Sequence, residues 1–314
     1  MKYRTLGNSG LEVSAIGQGT WAMGDDFFGE VDAKECVRAI HASMDAGVNF
    51  VDTARAYGED GASEKVVGEA IHDRRDKVIL STKCGIIRQF GEYIKCCSPN
   101  SIRCEIEESL KHLRTDYIDV YFIHWPDYNF GIEGALDLLA DMKKEGKIRA
   151  VGVSNFNVDE LKVGIERADI ACVQPPFSML NRDSVNNGII PFAIENNLGV
   201  TSYGSLGGGI LTGVMEKPEI GGKELRGAFY PFYEEPLWSK CQELLEVLRG
   251  IADGKGVSVA EISVAWAIAQ PGITVALMGG VKPEESAQNA KAADVDLTDD
   301  EMKVIDDAYD RIMK

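Results

Sequence analysis

The sequence predicts an α/β fold, a single (β/α)8 TIM barrel with an N-terminal β-hairpin and a long loop after strand 7. Three observations carry that prediction. Short β-rich runs and stretches of helical periodicity alternate along the 314 residues, with eight runs of the first kind. One closed barrel of this kind takes roughly 250 residues, so the chain has room for one. A doubly wound sheet shares the alternation, but its glycine-rich turn is missing. The first strand runs into IGQGTWAMG, with Gly17 and Gly19 but no third glycine opening a helix, and Trp21 is an awkward residue for a pyrophosphate turn. No linker divides the chain, so residues 1–314 read as one domain.

Each element has its own signal. The opening KYRTLGNSGLEV reads as a hairpin turning at Asn8-Ser9-Gly10 and plugging one barrel end. The strand-like runs are 14–17, 49–51, 78–81, 118–123, 150–153, 170–173, 200–202 and 274–277, rich in Val, Ile and aromatic residues. Helical patterns fill 32–46, 64–71, 99–113, 132–145, 158–166, 185–196, 237–252, 258–269 and 283–292. Asp32 and Ser63 are read as N-caps, and Gly47, Gly146 and Gly199 as helix stops. The glycine-rich segment 206–236 far exceeds the usual connection of roughly 4–6 residues, and such loops are commonly lids or binding loops.

Composition narrows the function. The chain is 45% hydrophobic and 26% charged, enough for a sizeable core and a polar surface. A net charge of −17 speaks against nucleic acid as a partner. No run approaches the ~20 apolar residues of a membrane span, and MKYRTLGNSGLEVS has no apolar signal core. Seven scattered cysteines suit reduced thiols in a cytoplasm rather than a disulfide framework. Cys96, Cys97, Cys104 and His112 match no standard zinc spacing, so no metal is expected. No coiled-coil or dimer stripe stands out, and the oligomeric state is left open.

In such a barrel the active site lies at the C-terminal strand ends. Strand two ends at Asp52, strand three at Lys83 and strand four at His124, with Tyr57 a short loop beyond Asp52. Singly, each has an ordinary reading: a capping carboxylate, a snorkelling lysine, a core histidine, a loop tyrosine. Together at three adjacent strand ends they form a proton-transfer set. A tyrosine at its ordinary pKa of ~10 is a poor shuttle at neutral pH, and a nearby ammonium is expected to lower that value. A carboxylate would hold the lysine, and a histidine would bond a substrate carbonyl oxygen. Nothing here supplies a nucleophile or a metal cage, so hydride must come from a cofactor.

These residues lie in segments that resemble the aldo-keto reductase family along nearly the whole chain: VDTARAYG with SEKVVGEAI, STKCG, LRTDYIDVYFIHWPD, GKIRAVGVSNF, VQPPFSMLNR, YGSLGGGILTG and KPEESAQNA, in the family's order. The resemblance implies a catalytic tetrad of Asp52, Tyr57, Lys83 and His124, with Tyr57 as general acid in reduction and general base in oxidation. It implies that Ser154, Asn155 and Gln174 bond the nicotinamide carboxamide and that Tyr203 stacks on the ring. Gly204, Ser205, Leu206, Gly208 and Leu211 would wrap the pyrophosphate. Gly280, Val281, Lys282, Glu285, Gln288 and Asn289 would take the adenosine end, and Gly19, Thr20, Trp21 and Asp52 would also border the cofactor. Trp21, Tyr57, His124 and Trp125 would meet the substrate, a small carbonyl or alcohol with sugars and polyols among the candidates. Phe27, Phe28, Tyr128 and Phe130 are further aromatics expected near the mouth.

Two departures from the family pattern stand out. Gly204-Ser205 replaces the usual Ser-Pro or similar pair. Glu285 stands where members preferring NADP often carry arginine or a neutral residue. Family habit favours NADP(H) over NAD(H), with Lys282 on its side and Glu285 against it. Two rival functions remain at this level: a cofactor-sensing regulatory barrel with little turnover, and a barrel isomerase or lyase. The second leaves VGVSNF, Gln174 and Tyr203 without a purpose.

Overall fold

The computed structural model describes residues 1–24, 31–89, 92–217 and 226–314. Phe27, Phe28 and part of the 206–236 loop lie outside the described residues. Eight strands form the closed barrel. They are β1 (Ile16–Gly19), β2 (Phe50–Asp52), β3 (Ile79–Cys84), β4 (Ile118–Ile123), β5 (Ile148–Ser154), β6 (Cys172–Gln174), β7 (Gly199–Ser202) and β8 (Ile273–Gly279). Every pairing is parallel, chain order is ring order, and β8 closes on β1 through Ala276 to Gly279 opposite Ile16 to Gly19. The registers Gly19 to Asp52, Asp52 to Ser81 and Lys83 to Phe122 bring the polar strand ends to one rim.

Period-2 alternation divides each strand between two cores. On β4, Val120 and Phe122 join the cluster that fills the barrel, with Phe50, Ala150, Cys172, Val275 and Leu277. Tyr121 and Ile123, on the other face, pack into the larger layer between sheet and helices. Phe122 needs room inside the ring, and Gly152 provides it: a Cβ there would fall 2.4 Å from the Phe122 ring.

The expected hairpin forms from Tyr3–Thr5 and Glu12–Ser14, and it seals the end where the strands begin. Leu6 and Leu11 are buried in the barrel core. Gly7, at φ 52°, backs onto the start of β6 and β7, where a Cβ would lie 2.2 Å from the Ala171 carbonyl oxygen.

The helices around the sheet are α1 (Ala33–Asp45), α2 (Ala62–Ile71), α3 (Pro99–Leu113), α4 (Glu133–Lys144), α5 (Val158–Ala168), α6 (Ile189–Glu195), α7 (Leu237–Lys255), α8 (Val259–Ala269), α9 (Pro283–Lys291) and α10 (Asp299–Met313). Asp32 caps α1 as expected, accepting from the Lys34 and Glu35 amides. Ser63 does not cap α2. It lies inside the helix, and its hydroxyl bonds Thr20 and Thr53. The pattern over 185–196 divides into Asp183–Asn186 and α6, because Gly188 sits at φ 86° between them. Gly199 opens β7 rather than stopping a helix, and a Cβ there would strike Leu6 at 2.5 Å. A second hairpin, Ile86–Gln89 with Glu92–Lys95, follows β3 without having been expected. Among the described residues, no helix is long and apolar enough to cross a membrane.

Candidate active site

The buried base of the site is an ion pair. Lys83 uses all three ammonium protons, donating to Asp52 Oδ1 at 2.6 Å, the Thr53 carbonyl at 2.8 Å and the Tyr57 hydroxyl at 3.2 Å. The other Asp52 oxygen accepts from Ser81 Oγ at 2.8 Å and Gln174 Nε2 at 3.0 Å. This saturation makes the burial of two charges tolerable. Burial pulls the Lys83 pKa down from its ordinary value, and Asp52, followed by Glu64, opposes that fall.

Tyr57 and His124 stand above this pair, each partly exposed, while Asp52 and Lys83 are buried. Tyr57 is delivered by a turn pressed onto the one after β1. Gly58, at φ 82°, lies so near Gly24 that a Cβ would fall 2.2 Å from its carbonyl oxygen. The Tyr57 ring then stacks beside Trp21, centroids 6.1 Å apart, and meets His124 edge-on at 5.7 Å. Trp125 follows at the rim with Lys95 Nζ 4.4 Å above its ring.

The expected lowering of the Tyr57 pKa does not occur. Burial first, and then the Asp52 charge, hold Tyr57 well above its ordinary value. The physical reason is that burial of the phenol, with the Asp52 carboxylate beside it, disfavours the charged phenolate. Burial and then Lys83 push His124 well below the usual imidazole range. At neutral pH, therefore, Tyr57 holds its proton and His124 is uncharged. The pair can give a proton to, and bond, an oxygen atom placed above them.

The ends of β5 and β6 supply a second group. Ser154 Oγ donates to the Gln174 carbonyl and accepts from Asn155 Nδ2. Asn155, at φ 62°, also donates to the His124 carbonyl and accepts from the Tyr203 hydroxyl at 2.8 Å. Ser154, Asn155, Gln174 and Tyr203 are thus joined to the tetrad by one hydrogen-bond chain. The Gln174 amide N–H is spent on Asp52, an assignment the sequence did not suggest.

After β7, Gly204, Gly207 and Gly208 all take left-handed φ, between 59° and 73°. Ser205 is buried with its hydroxyl on the Ser202 carbonyl, Leu206 is half-buried, and the Leu211 side chain lies wholly in the core. Beyond β8, Gly280 is buried, Val281 and Lys282 donate amide protons to Glu285 Oε2, and Asn289 Nδ2 donates to the Gly279 carbonyl. Gln288 is exposed. Gly19 ends β1, and Thr20 beside it is buried, donating to the Asp52 carbonyl and bonding Ser63. The Thr20 hydroxyl and the Leu211 side chain are therefore committed to packing.

Three contributors escaped the sequence reading. Ser81 lies two residues before Lys83 on the same face of β3, so strand periodicity alone could have found it. Phe229 meets Trp21 edge-on at 5.2 Å, and the Tyr230 ring lies against Gly208, where a Cβ would fall 2.7 Å from it. Burial, Tyr233 and Tyr57 push the Tyr230 phenol up to about 12. No local signal announces either aromatic, since a long loop brings them back over the mouth. Tyr128 and Phe130 are largely exposed. Among the described residues, no three His, Cys, Asp or Glu side chains converge as a metal site.

The chain is 37% identical over 287 residues to the aldo-keto reductase YhdN of Bacillus subtilis (strain 168), covering 90% of this chain and 86% of that one. It is 31% identical over 307 residues to a probable voltage-gated potassium channel subunit beta of Oryza sativa subsp. japonica, covering 94% and 92%. The glycerol dehydrogenase AKR11B4 from Gluconobacter oxydans superposes with a TM-score of 0.88 at 33% identity, over 96% of this chain and 93% of that one. With residues 15–310 matching the Aldo/keto reductase family, the chain belongs to that family.

Proposed function

We propose that the protein is a nicotinamide-dependent reductase of small carbonyl compounds in which Tyr57 is the proton donor. The observation that carries this is the Lys83 ammonium joined at once to Asp52 and to the Tyr57 hydroxyl at the barrel mouth. The residues fit a dinucleotide. A loop turns on the positive-φ glycines Gly204, Gly207, Gly208 and Gly209 at the end of β7, and the Ser286 hydroxyl is buried without a partner beside Gly280. Ser154, Asn155, Gln174 and Tyr203 would hold the nicotinamide end, the backbone of 204–211 the pyrophosphate, and 280–289 the adenosine end. Bound there, the cofactor supplies hydride to the carbonyl carbon.

The chain's own groups do the rest. Tyr57 gives its proton to the carbonyl oxygen as charge develops there. Neutral His124 bonds the same oxygen and fixes its place. Lys83, held by Asp52, stabilises the phenolate left behind. Trp21 and Trp125 wall the substrate space. A protonated Tyr57 suits the reductive direction, since oxidation needs the phenolate as base. Seven cysteines scattered along the sequence, in no disulfide-framework spacing, support a reducing compartment.

The test is Tyr57→Phe, assayed for turnover and for dinucleotide binding. Loss of turnover by roughly a hundred- to ten-thousand-fold with binding and melting temperature kept is expected. In the parent protein, kcat/KM for reduction should stay flat between about pH 6 and 9, because neither His124 nor Tyr57 titrates there. Near-normal turnover of a folded Tyr57→Phe would remove the proton-donor assignment. Likeness to a channel subunit keeps a regulatory reading in view: dinucleotide binding with no turnover on any carbonyl tested would favour it over catalysis.

A further inference from the structure

We infer that Glu285 makes NAD(H), rather than NADP(H), the dinucleotide of this chain. The inference rests on the proposed function and deepens it. In eight-stranded barrels, phosphate groups commonly settle between the loops after strands 7 and 8, against a helix N-terminus whose amides are unspent. Here that place is the start of α9. A side chain of α9 marks it as well as the helix start does: the Ser286 hydroxyl is buried without a partner beside Gly280.

The amides at that helix start are not unspent. Val281 N–H donates to Glu285 Oε2 at 3.1 Å and Lys282 N–H to the same oxygen at 3.3 Å. Glu285 is exposed, so its carboxylate both satisfies the donors and presents negative charge at the rim. Glu284 adds a second carboxylate in the same helical turn. A 2′-phosphate would have to displace Glu285 from its amides and then lie beside it. A ribose 2′-hydroxyl makes the opposite demand, since it donates to a carboxylate, and acidic residues read it in that way elsewhere. Lys282 is the opposing cation. It is exposed, and it sets one flexible positive charge against the two acids of the first helical turn. Family habit favours NADP(H), but the local charge favours the nucleotide without the extra phosphate.

The experiment is a titration of the full chain with NADH and with NADPH, followed by quenching of tryptophan fluorescence. NADH is expected to bind at least roughly tenfold more tightly. Glu285→Gln keeps a side-chain oxygen for the cap but removes the charge, and it should raise NADPH affinity by roughly tenfold with little change for NADH. Melting temperature confirms that the variant is folded. Lys282→Gln should leave the preference for NADH in place. Tighter NADPH binding by the parent protein, or an unchanged ratio in folded Glu285→Gln, overturns this inference and leaves the proposed function standing. Binding of neither nucleotide overturns both.

Discussion

Asp52 answers to four groups at once: Lys83, Ser81 and Gln174 through its carboxylate, and Thr20 through its carbonyl. Such a carboxylate is stable in the interior only while its cation is present. Lys83→Met should therefore cost about 3–5 kcal/mol in urea unfolding, because it leaves a buried charge with neutral donors alone. Adding Asp52→Asn should recover part of that loss, since the neutral amide needs no counter-charge. A double variant no more stable than Lys83→Met would show that the charge is not what makes the lysine necessary. At this scale much was legible. Asp52, Lys83 and His124 announce themselves as polar residues at the ends of apolar strands. The direction of the Tyr57 pKa was not legible, because it depends first on how deeply the fold buries the phenol and then on how near Asp52 comes to it.

Between β3 and the hairpin after it, Gly85 turns the chain at φ 86°, and α3 holds that turn from behind. Glu105 Oε2 accepts the Gly85 N–H and Oε1 accepts from Ser101 Oγ, both at 3.0 Å. Burial outweighs these bonds and pushes Glu105 up to about 7. A raised folded-state pKa means that the native chain binds this proton more tightly than the unfolded one. The group's contribution to stability is thus full below the unfolded carboxylate value and is lost as pH rises through the folded value. Glu105→Gln should stabilise the protein by about 1–2 kcal/mol at pH 8 and by nearly nothing at pH 4. Melting curves at the two pH values test it, and an equal effect at both would mean packing, not charge, is responsible. Elements of this kind are where the sequence reading failed. The hairpin over 86–95 lacks a clean period of two, having Ile86 and Ile87 adjacent, and its turn lies outside the described residues. Ser63 looked like a cap because local preference favours it, but contacts with Thr20 and Thr53 decided its place. The helices that were read well, such as α1 and α4, combine a continuous apolar stripe with a glycine just beyond the end.

Across the molecule, packing and chemistry occupy opposite ends of one ring. The hairpin of Leu6 and Leu11 closes the end where strands begin, and Asp119 of β4 there accepts from the Leu80 amide of β3, from Arg149 of β5 and from Arg75 just before β3. The tetrad occupies the other end, with Phe229 against Trp21 and Tyr230 against Gly208. On the outer layer, α10 is fastened by Arg182, which lies over the Trp266 and Tyr309 rings at 4.5 and 3.8 Å and pairs with Asp306. The alternation of strand and helix made the ring legible, because a parallel barrel repeats its signal eight times. Closure itself left no mark in any one segment, since it is a relation between β1 and β8. If the two ends are energetically separate, damage to the plug should leave the mouth untouched. Leu6→Ala removes a fully buried side chain beneath the barrel and should cost about 2–5 kcal/mol. Unfolding should remain a single transition, as expected if residues 1–314 form one domain. Dinucleotide affinity and kcat per folded molecule should not change. A shift in either, at temperatures where the variant is folded, would show that strain at the plug reaches Asp52 and Lys83 through the strands, and the separation would fail.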